Sequence, residues 1–156
     1  MTTPEIDADD RSAGMLAAAR TTAPLVRGDC LKLPLATGSV DGIVCGFALR
    51  NFLALDPFLG ECARVLRPGG RVALLEVSIP RNAVLRFGHG LYFGRVVPLV
   101  GGLLSDRDAY RYLPRSVAYL PEGPELVSML AGSGFAEASR VSLSTGIAQL
   151  LTGTRS

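Results

Sequence analysis

The sequence predicts an α/β fold built on a doubly wound sheet, and three observations carry that expectation. Apolar, strand-like runs alternate with helix-like segments along the chain. One run, V-A-L-L-E-V at 72–77, is apolar enough for a strand buried on both faces of a parallel sheet. The chain then closes on two alternating segments, 136–144 and 147–154, joined at Thr145-Gly146.

Each element has a local reason. Residues 1–11 are polar and acidic without periodicity and read as a loose lead-in. Ser12 is placed to cap a short helix ending near Arg20. A strand at 24–26 ends on Gly28-Asp29, and a second, V-D-G-I-V-C-G-F at 40–47, follows the turn Thr37-Gly38-Ser39. Asp56-Pro57 marks a helix start, with Asp56 as N-cap. Phe58, Leu59, Cys62, Val65 and Leu66 then recur at helical spacing as a core-facing stripe, which Pro68-Gly69-Gly70 ends. Residues 81–122, rich in aromatics and Gly, read as a helical insertion, and 124–131 as the last helix.

Composition narrows the classes. With 156 residues, 48% hydrophobic and 19% charged, the chain 1–156 suits a single domain and excludes disorder and repeat arrays. A net charge of +2, with Arg residues scattered, is too small to argue for a nucleic-acid partner, and none is expected. The apolar stretch 91–104 is broken by Arg95 and Pro98, and is shorter than the ~20 residues of a membrane span. Glu5, Asp7, Asp9 and Asp10 stand where a signal peptide would be basic. Cys30, Cys45 and Cys62 lack C-x-x-C spacing and read as reduced thiols of a cytoplasmic protein, with no metal site.

In such a sheet, ligands bind at the carboxyl ends of the strands. Three loops qualify: Asp29-Cys30, Phe47-Ala48-Leu49-Arg50-Asn51, and Glu76-Val77-Ser78. Asp29 suits either a ribose or adenine contact or a turn-forming role. Together, G-D-C-L-K-L-P-L, S-V-D-G-I-V-C-G-F-A-L-R-N-F and R-V-L-R-P-G-G-R-V-A-L-L-E-V-S-I-P resemble class I S-adenosylmethionine-dependent methyltransferases. The F-A-L-R-N block and Tyr110-Arg111-Tyr112-Leu113-Pro114-Arg115-Ser116 narrow the resemblance to the ubiquinone/menaquinone C-methyltransferases. Gly134-Phe135 and Gly146-Ile147 match the family's closing landmarks, and the likeness covers roughly residues 10–154.

The resemblance implies a Rossmann-like class I methyltransferase sheet and S-adenosyl-L-methionine as cofactor. It gives Asp10 to the cofactor ribose, and Asp29 and Cys30 to the adenine. Gly46 stands where relatives commonly have Ser and retains a backbone contact. Arg50 and Asn51 fall where the acceptor ring meets the methyl group. Carbon methylation of a quinol needs phenolate character, so Arg50, always protonated, is expected to hold the phenolate oxygen and Asn51 to orient it. A surface ion pair is the alternative for Arg50. Tyr110, Tyr112 and His89 are candidate acceptor-pocket residues, each with a plain packing role as the alternative.

The family's glycine-rich D/E-x-G-x-G-x-G loop has no match, and no apolar strand precedes Asp10. The sheet is therefore expected to be N-terminally incomplete, its first two strands missing, with exposed strand edges. The implied acceptor is an isoprenoid quinone precursor, with peripheral contact at the inner face of the membrane. The main alternative is a catalytically incomplete binding protein, paired as a homo-oligomer or with a complementing subunit. A methyltransferase acting on another phenolic or lipid acceptor is the third reading.

Overall fold

The computed structural model describes residues 8–9, 13–22, 24–78 and 120–156. In chain order these form β1 (Ala8–Asp9), α1 (Ala13–Ala18), β2 (Leu25–Val26), β3 (Val40–Gly46), a 3-10 turn (Leu49–Asn51), α2 (Asp56–Val65), β4 (Leu66–Val77), α3 (Gly123–Gly132), β5 (Phe135–Leu143), a second 3-10 turn (Ser144–Gly146) and β6 (Ala148–Arg155). Strands β3 to β6 make a four-stranded sheet in the order β3-β4-β6-β5, while β1 and β2 form a separate parallel pair.

The parallel pairing of β3 with β4 requires a crossover, and α2 provides it. Of the predicted stripe, Phe58, Leu59, Cys62 and Val65 are buried on it and Leu66 is buried at the start of β4; Ala63 is buried as well. The start differs in detail: Leu55 occupies the N-cap position, and Asp56 and Pro57 lie inside the first turn. There Asp56 still complements the positive end of the helix dipole. Helix α3 covers the other half of the same sheet face, and the last two strands pair antiparallel.

Strand β4 begins at Leu66, six residues before the predicted apolar run. The helix does stop where Pro68-Gly69-Gly70 intervenes, but the chain turns directly into extended backbone. Gly69 takes φ 78°, in the left-handed region. A Cβ at Gly70 would lie 2.9 Å from the Arg67 carbonyl oxygen and 2.9 Å from a Leu66 methyl, so only glycine fits there.

One face of the sheet carries the core. Val72 and Leu74 of β4 and Leu151 of β6 join the α2 side chains, Leu126 and Leu130 of α3, and Phe135. A fully buried leucine contributes ~1.5–3 kcal/mol relative to exposure. The opposite face is more open: Val44 is 85% exposed and Val141 52%.

Two side-chain staples tie loops to this core. Glu61 and Arg64 of α2 pair through two contacts of 2.7 Å, while Glu61 accepts the Leu33 N–H and Arg64 donates to the Leu33 and Leu35 carbonyls. Arg155 donates from Nε to the Ala63 carbonyl at 2.9 Å. The lead-in is not wholly without structure, because Ala8 and Asp9 pair in register with Leu25 and Val26. Two residues are too few to register as hydrophobic periodicity. The insertion expected over 81–122 lies outside the described residues, apart from the non-helical 120–122. Among the described residues no helix is long and apolar enough to cross a membrane.

Candidate active site

The carboxyl ends of the parallel strands β3 and β4 lie side by side, and the chain leaves β3 by an unusual route. Phe47 adopts φ 58°, a left-handed conformation that a bulky side chain rarely takes, and its N–H donates to the Leu75 carbonyl at 2.8 Å. The turn places the Phe47 ring at the surface, 45% exposed. The 3-10 turn follows at once, anchored by Leu49, which is 2% exposed. Its closing bonds run from Asn51 N–H to Ala48 and from Phe52 N–H to Leu49.

This turn delivers Arg50 to Glu76, near the end of β4. Arg50 Nη1 donates to Glu76 Oε1 at 2.6 Å, and the Arg50 backbone N–H reaches Oε2 at 3.2 Å. Glu76 Oε1 also accepts the Val77 N–H at 2.8 Å. The Glu76 side chain is 1% exposed and that of Arg50 13%. Arg50 is thus neither a surface ion pair nor a free cation at the mouth of a pocket: its charge is matched by a buried carboxylate. A guanidinium has five N–H donors, and Nε is buried without a partner among the described residues. The guanidinium carbon lies 6.0 Å from the centre of the Phe47 ring.

Glu76 is visible in the sequence only as the one charge in an apolar strand. A charge that must be buried has to be paired, and that is the available signal. In the ladder it stands opposite Gln149 of β6, also buried, which accepts from Arg140 Nε. Ser78, just beyond β4, ties this end of the sheet to the second 3-10 turn by donating from Oγ to the Gly146 carbonyl at 2.7 Å.

The predicted cofactor residues among the described ones have local surroundings of their own. Asp29 accepts the Leu31 N–H on Oδ1 at 3.1 Å, and its carbonyl accepts the Lys32 N–H, so it does form the turn. Cys30 and Cys45 are half-buried against the core. Burial, then the neighbouring Cys30 and Glu76, push the Cys45 thiol up to about 11. Cys62, fully buried, is pushed to about 12, chiefly by burial. These are inert thiols suited to an apolar contact. A Cβ built at Gly46 meets nothing within 4 Å, so this strand end leaves open space where a flat group can approach the backbone. Asn51 is exposed beside Arg50. Asp10, His89, Tyr110 and Tyr112 lie outside the described residues.

Open backbone at the Gly46 strand end and the half-buried thiols of Cys30 and Cys45 are chemically compatible with a flat ring such as the adenine of S-adenosylmethionine. Among the described residues nothing corresponds to a glycine-rich loop for its amino-acid end. The model of the ubiE/COQ5 methyltransferase family matches residues 11–155. The chain belongs to the ubiE/COQ5 methyltransferase family. Among relatives, the ubiquinone/menaquinone biosynthesis C-methyltransferase UbiE of Syntrophotalea carbinolica is 42% identical over 132 residues, covering 85% of this chain and 56% of that protein. The demethylmenaquinone methyltransferase of Thermus thermophilus is 37% identical over 159 residues, covering 97% of this chain and 72% of the relative. The chain therefore spans a little over half of the first relative and under three-quarters of the second.

Solved structures share the fold at low identity. An S-adenosylmethionine-dependent methyltransferase of Thermotoga maritima superposes with a TM-score of 0.57 at 16% identity, covering 85% of this chain and 63% of that one. The YcgJ protein of Bacillus subtilis gives 0.59 at 16% identity, covering 94% and 80%. The chain shares the Rossmann-like α/β architecture of these two structures.

Proposed function

We propose that this chain carries the acceptor side, and part of the cofactor side, of a site for S-adenosylmethionine-dependent C-methylation of a demethylated isoprenoid quinol. The observation that carries the reading is the Arg50–Glu76 pair, which ties the L-R-N turn after β3 to the adjacent end of β4. Bound S-adenosylmethionine supplies the methyl group already activated as a sulfonium. The protein's task is then to hold the acceptor carbon in line and to stabilise charge as it develops on the ring oxygen.

Arg50 serves that second task through its donors not engaged by Glu76, and exposed Asn51 orients the same oxygen. Phe47 offers an aromatic surface beside the guanidinium. On the cofactor side, Asp10 takes the ribose, Asp29 and Cys30 flank the adenine, and Gly46 contributes backbone. Tyr110, Tyr112 and His89 complete the acceptor pocket. An acceptor with an isoprenoid tail lives in a bilayer, so the protein works in the cytoplasm at the inner face of the membrane.

A second reading rests on a different observation. The β1–β2 pair and the four-stranded sheet share no hydrogen-bonded strand, and β3 has no strand on its outer side among the described residues. In that reading the chain binds a second copy or a complementing subunit at the β3 edge, and the cofactor site is completed there. Titration calorimetry with S-adenosylmethionine and with a short-chain demethylmenaquinol tests the two together. Micromolar binding of both by a monomer supports the enzyme reading. Binding that appears only in a dimer or mixed complex supports the second, and binding of neither overturns both.

A further inference from the structure

Glu76 decides which charge state of acceptor the site takes. We infer that the Arg50–Glu76 pair makes this a charge-neutral donor site, selecting an uncharged phenol or quinol over an anionic aromatic. The inference rests on the acceptor reading given above and adds a specificity-determining residue, Glu76, that does not itself touch the acceptor.

The selection is electrostatic. A lone guanidinium at a partly desolvated strand end attracts any anion, carboxylates above all, because fork-shaped bidentate pairing is its strongest contact. Here the partner position is already occupied from inside the fold. Glu76 Oε1 sits 2.6 Å from Nη1, and Oε2 takes the backbone N–H of the same residue. The carboxylate is buried and held further by the Val77 N–H, so it does not swing away to admit a competing anion.

Nε is buried, so what an acceptor can reach is the 13% of the Arg50 side chain that stays exposed, N–H donors without net charge behind them. Such donors suit a neutral hydroxyl or carbonyl oxygen, whereas an incoming carboxylate would lose its water and meet Glu76 across the guanidinium. The same donors still stabilise negative charge that develops transiently on a ring oxygen at short range, where hydrogen bonding counts more than net charge. Arg140 is engaged elsewhere, donating from Nε to Gln149, and none of the variants below alters it.

The test uses two probes of nearly equal shape: a naphthohydroquinone bearing a carboxamide and the same ring bearing a carboxylate. Their dissociation constants are measured with the wild-type chain, Glu76→Gln, Arg50→Gln and the double variant, each checked for native circular dichroism. The wild type is expected to favour the carboxamide by at least ~10-fold, about 1.4 kcal/mol. In Glu76→Gln the ratio moves toward the carboxylate by ~10-fold or more, because opposite charges at close range interact by several-fold more than RT.

The double variant, again neutral, returns to the wild-type preference, which a merely structural role for Glu76 would not produce. If Glu76→Gln does not fold, Arg50→Gln carries the test: with Glu76 left alone, discrimination against the carboxylate rises. A ratio shifting less than ~3-fold in the folded Glu76→Gln variant, or a wild type preferring the carboxylate, overturns the inference and leaves the acceptor reading intact. No binding of either probe overturns both.

Discussion

Replacing Glu76 by Ala deprives three donors of one acceptor: Arg50 Nη1, the Arg50 backbone N–H and the Val77 backbone N–H. The site is closed to compensation by water, since the Glu76 side chain is 1% exposed and Arg50 Nε already has no partner among the described residues. Removing one member of a buried ion pair typically costs about 3–5 kcal/mol, most of it the desolvation of the charge left behind. Against a total stability of about 5–15 kcal/mol for an ordinary domain, that is a fifth or more. Replacing both partners by Leu removes the stranded charge together with its acceptor. The double change is expected to cost well under the sum of the single ones, with a coupling of at least ~1.5 kcal/mol. Urea denaturation of the wild type, E76A, and the closed cycle of Glu76→Leu, Arg50→Leu and their double variant measures this, provided the m-values agree. An E76A loss below ~1 kcal/mol, or strict additivity, would refute the reading of this pair as the buried hinge of the site.

Other consequences follow from separate parts of the structure. Arg50→Lys keeps the charge but not the fork, so methyl transfer is expected to fall by ~10²-fold with little change in melting temperature; steady-state kinetics beside a thermal scan decide it. Cys45 and Cys62, with thiols raised to about 11 and about 12, should resist iodoacetamide at neutral pH until the chain is unfolded, and stoichiometric labelling of either residue in the folded protein, located by peptide mass spectrometry, would contradict this. Hydrogen bonding from Arg64 holds the Glu61 carboxyl below its ordinary 4.5. Its contribution is therefore complete above that value and is lost as pH falls through the lower folded value. The urea midpoint should drop on the acid side and do so less steeply in Glu61→Gln. Gly70→Ala forces a methyl against the Arg67 carbonyl and the Leu66 side chain, and should cost about 1–3 kcal/mol by thermal denaturation.

Much of the architecture is legible in the sequence because it rests on periodicity. The α2 stripe, the apolar β4 run and the closing strand pair all appear where the sequence places them. What periodicity misses is governed by long-range pairing. Ala8–Asp9 is a strand only because Leu25–Val26 lies beside it. Residues 66–71 join the strand because Gly69 takes a left-handed φ and Gly70 permits a close approach, neither of which a hydropathy pattern signals. In the site, the residue block around Arg50 is readable from its likeness to relatives, but the state of Arg50 is not. Its ion pair depends on Glu76, 26 residues away, and only the fold brings the two strand ends together. Asp29 turns on a local choice that the sequence leaves open, and the turn role is present.

The proposed site would direct a methyl group onto the ring carbon of a quinol, and that outcome can be read directly. Incubating the protein with methyl-13C S-adenosylmethionine and a short-chain demethylmenaquinol, then recording the carbon spectrum of the product, measures it. One labelled aryl methyl carbon is expected, with the signal strongly reduced in Arg50→Lys. A labelled methoxy carbon, or no label on the acceptor, would contradict it.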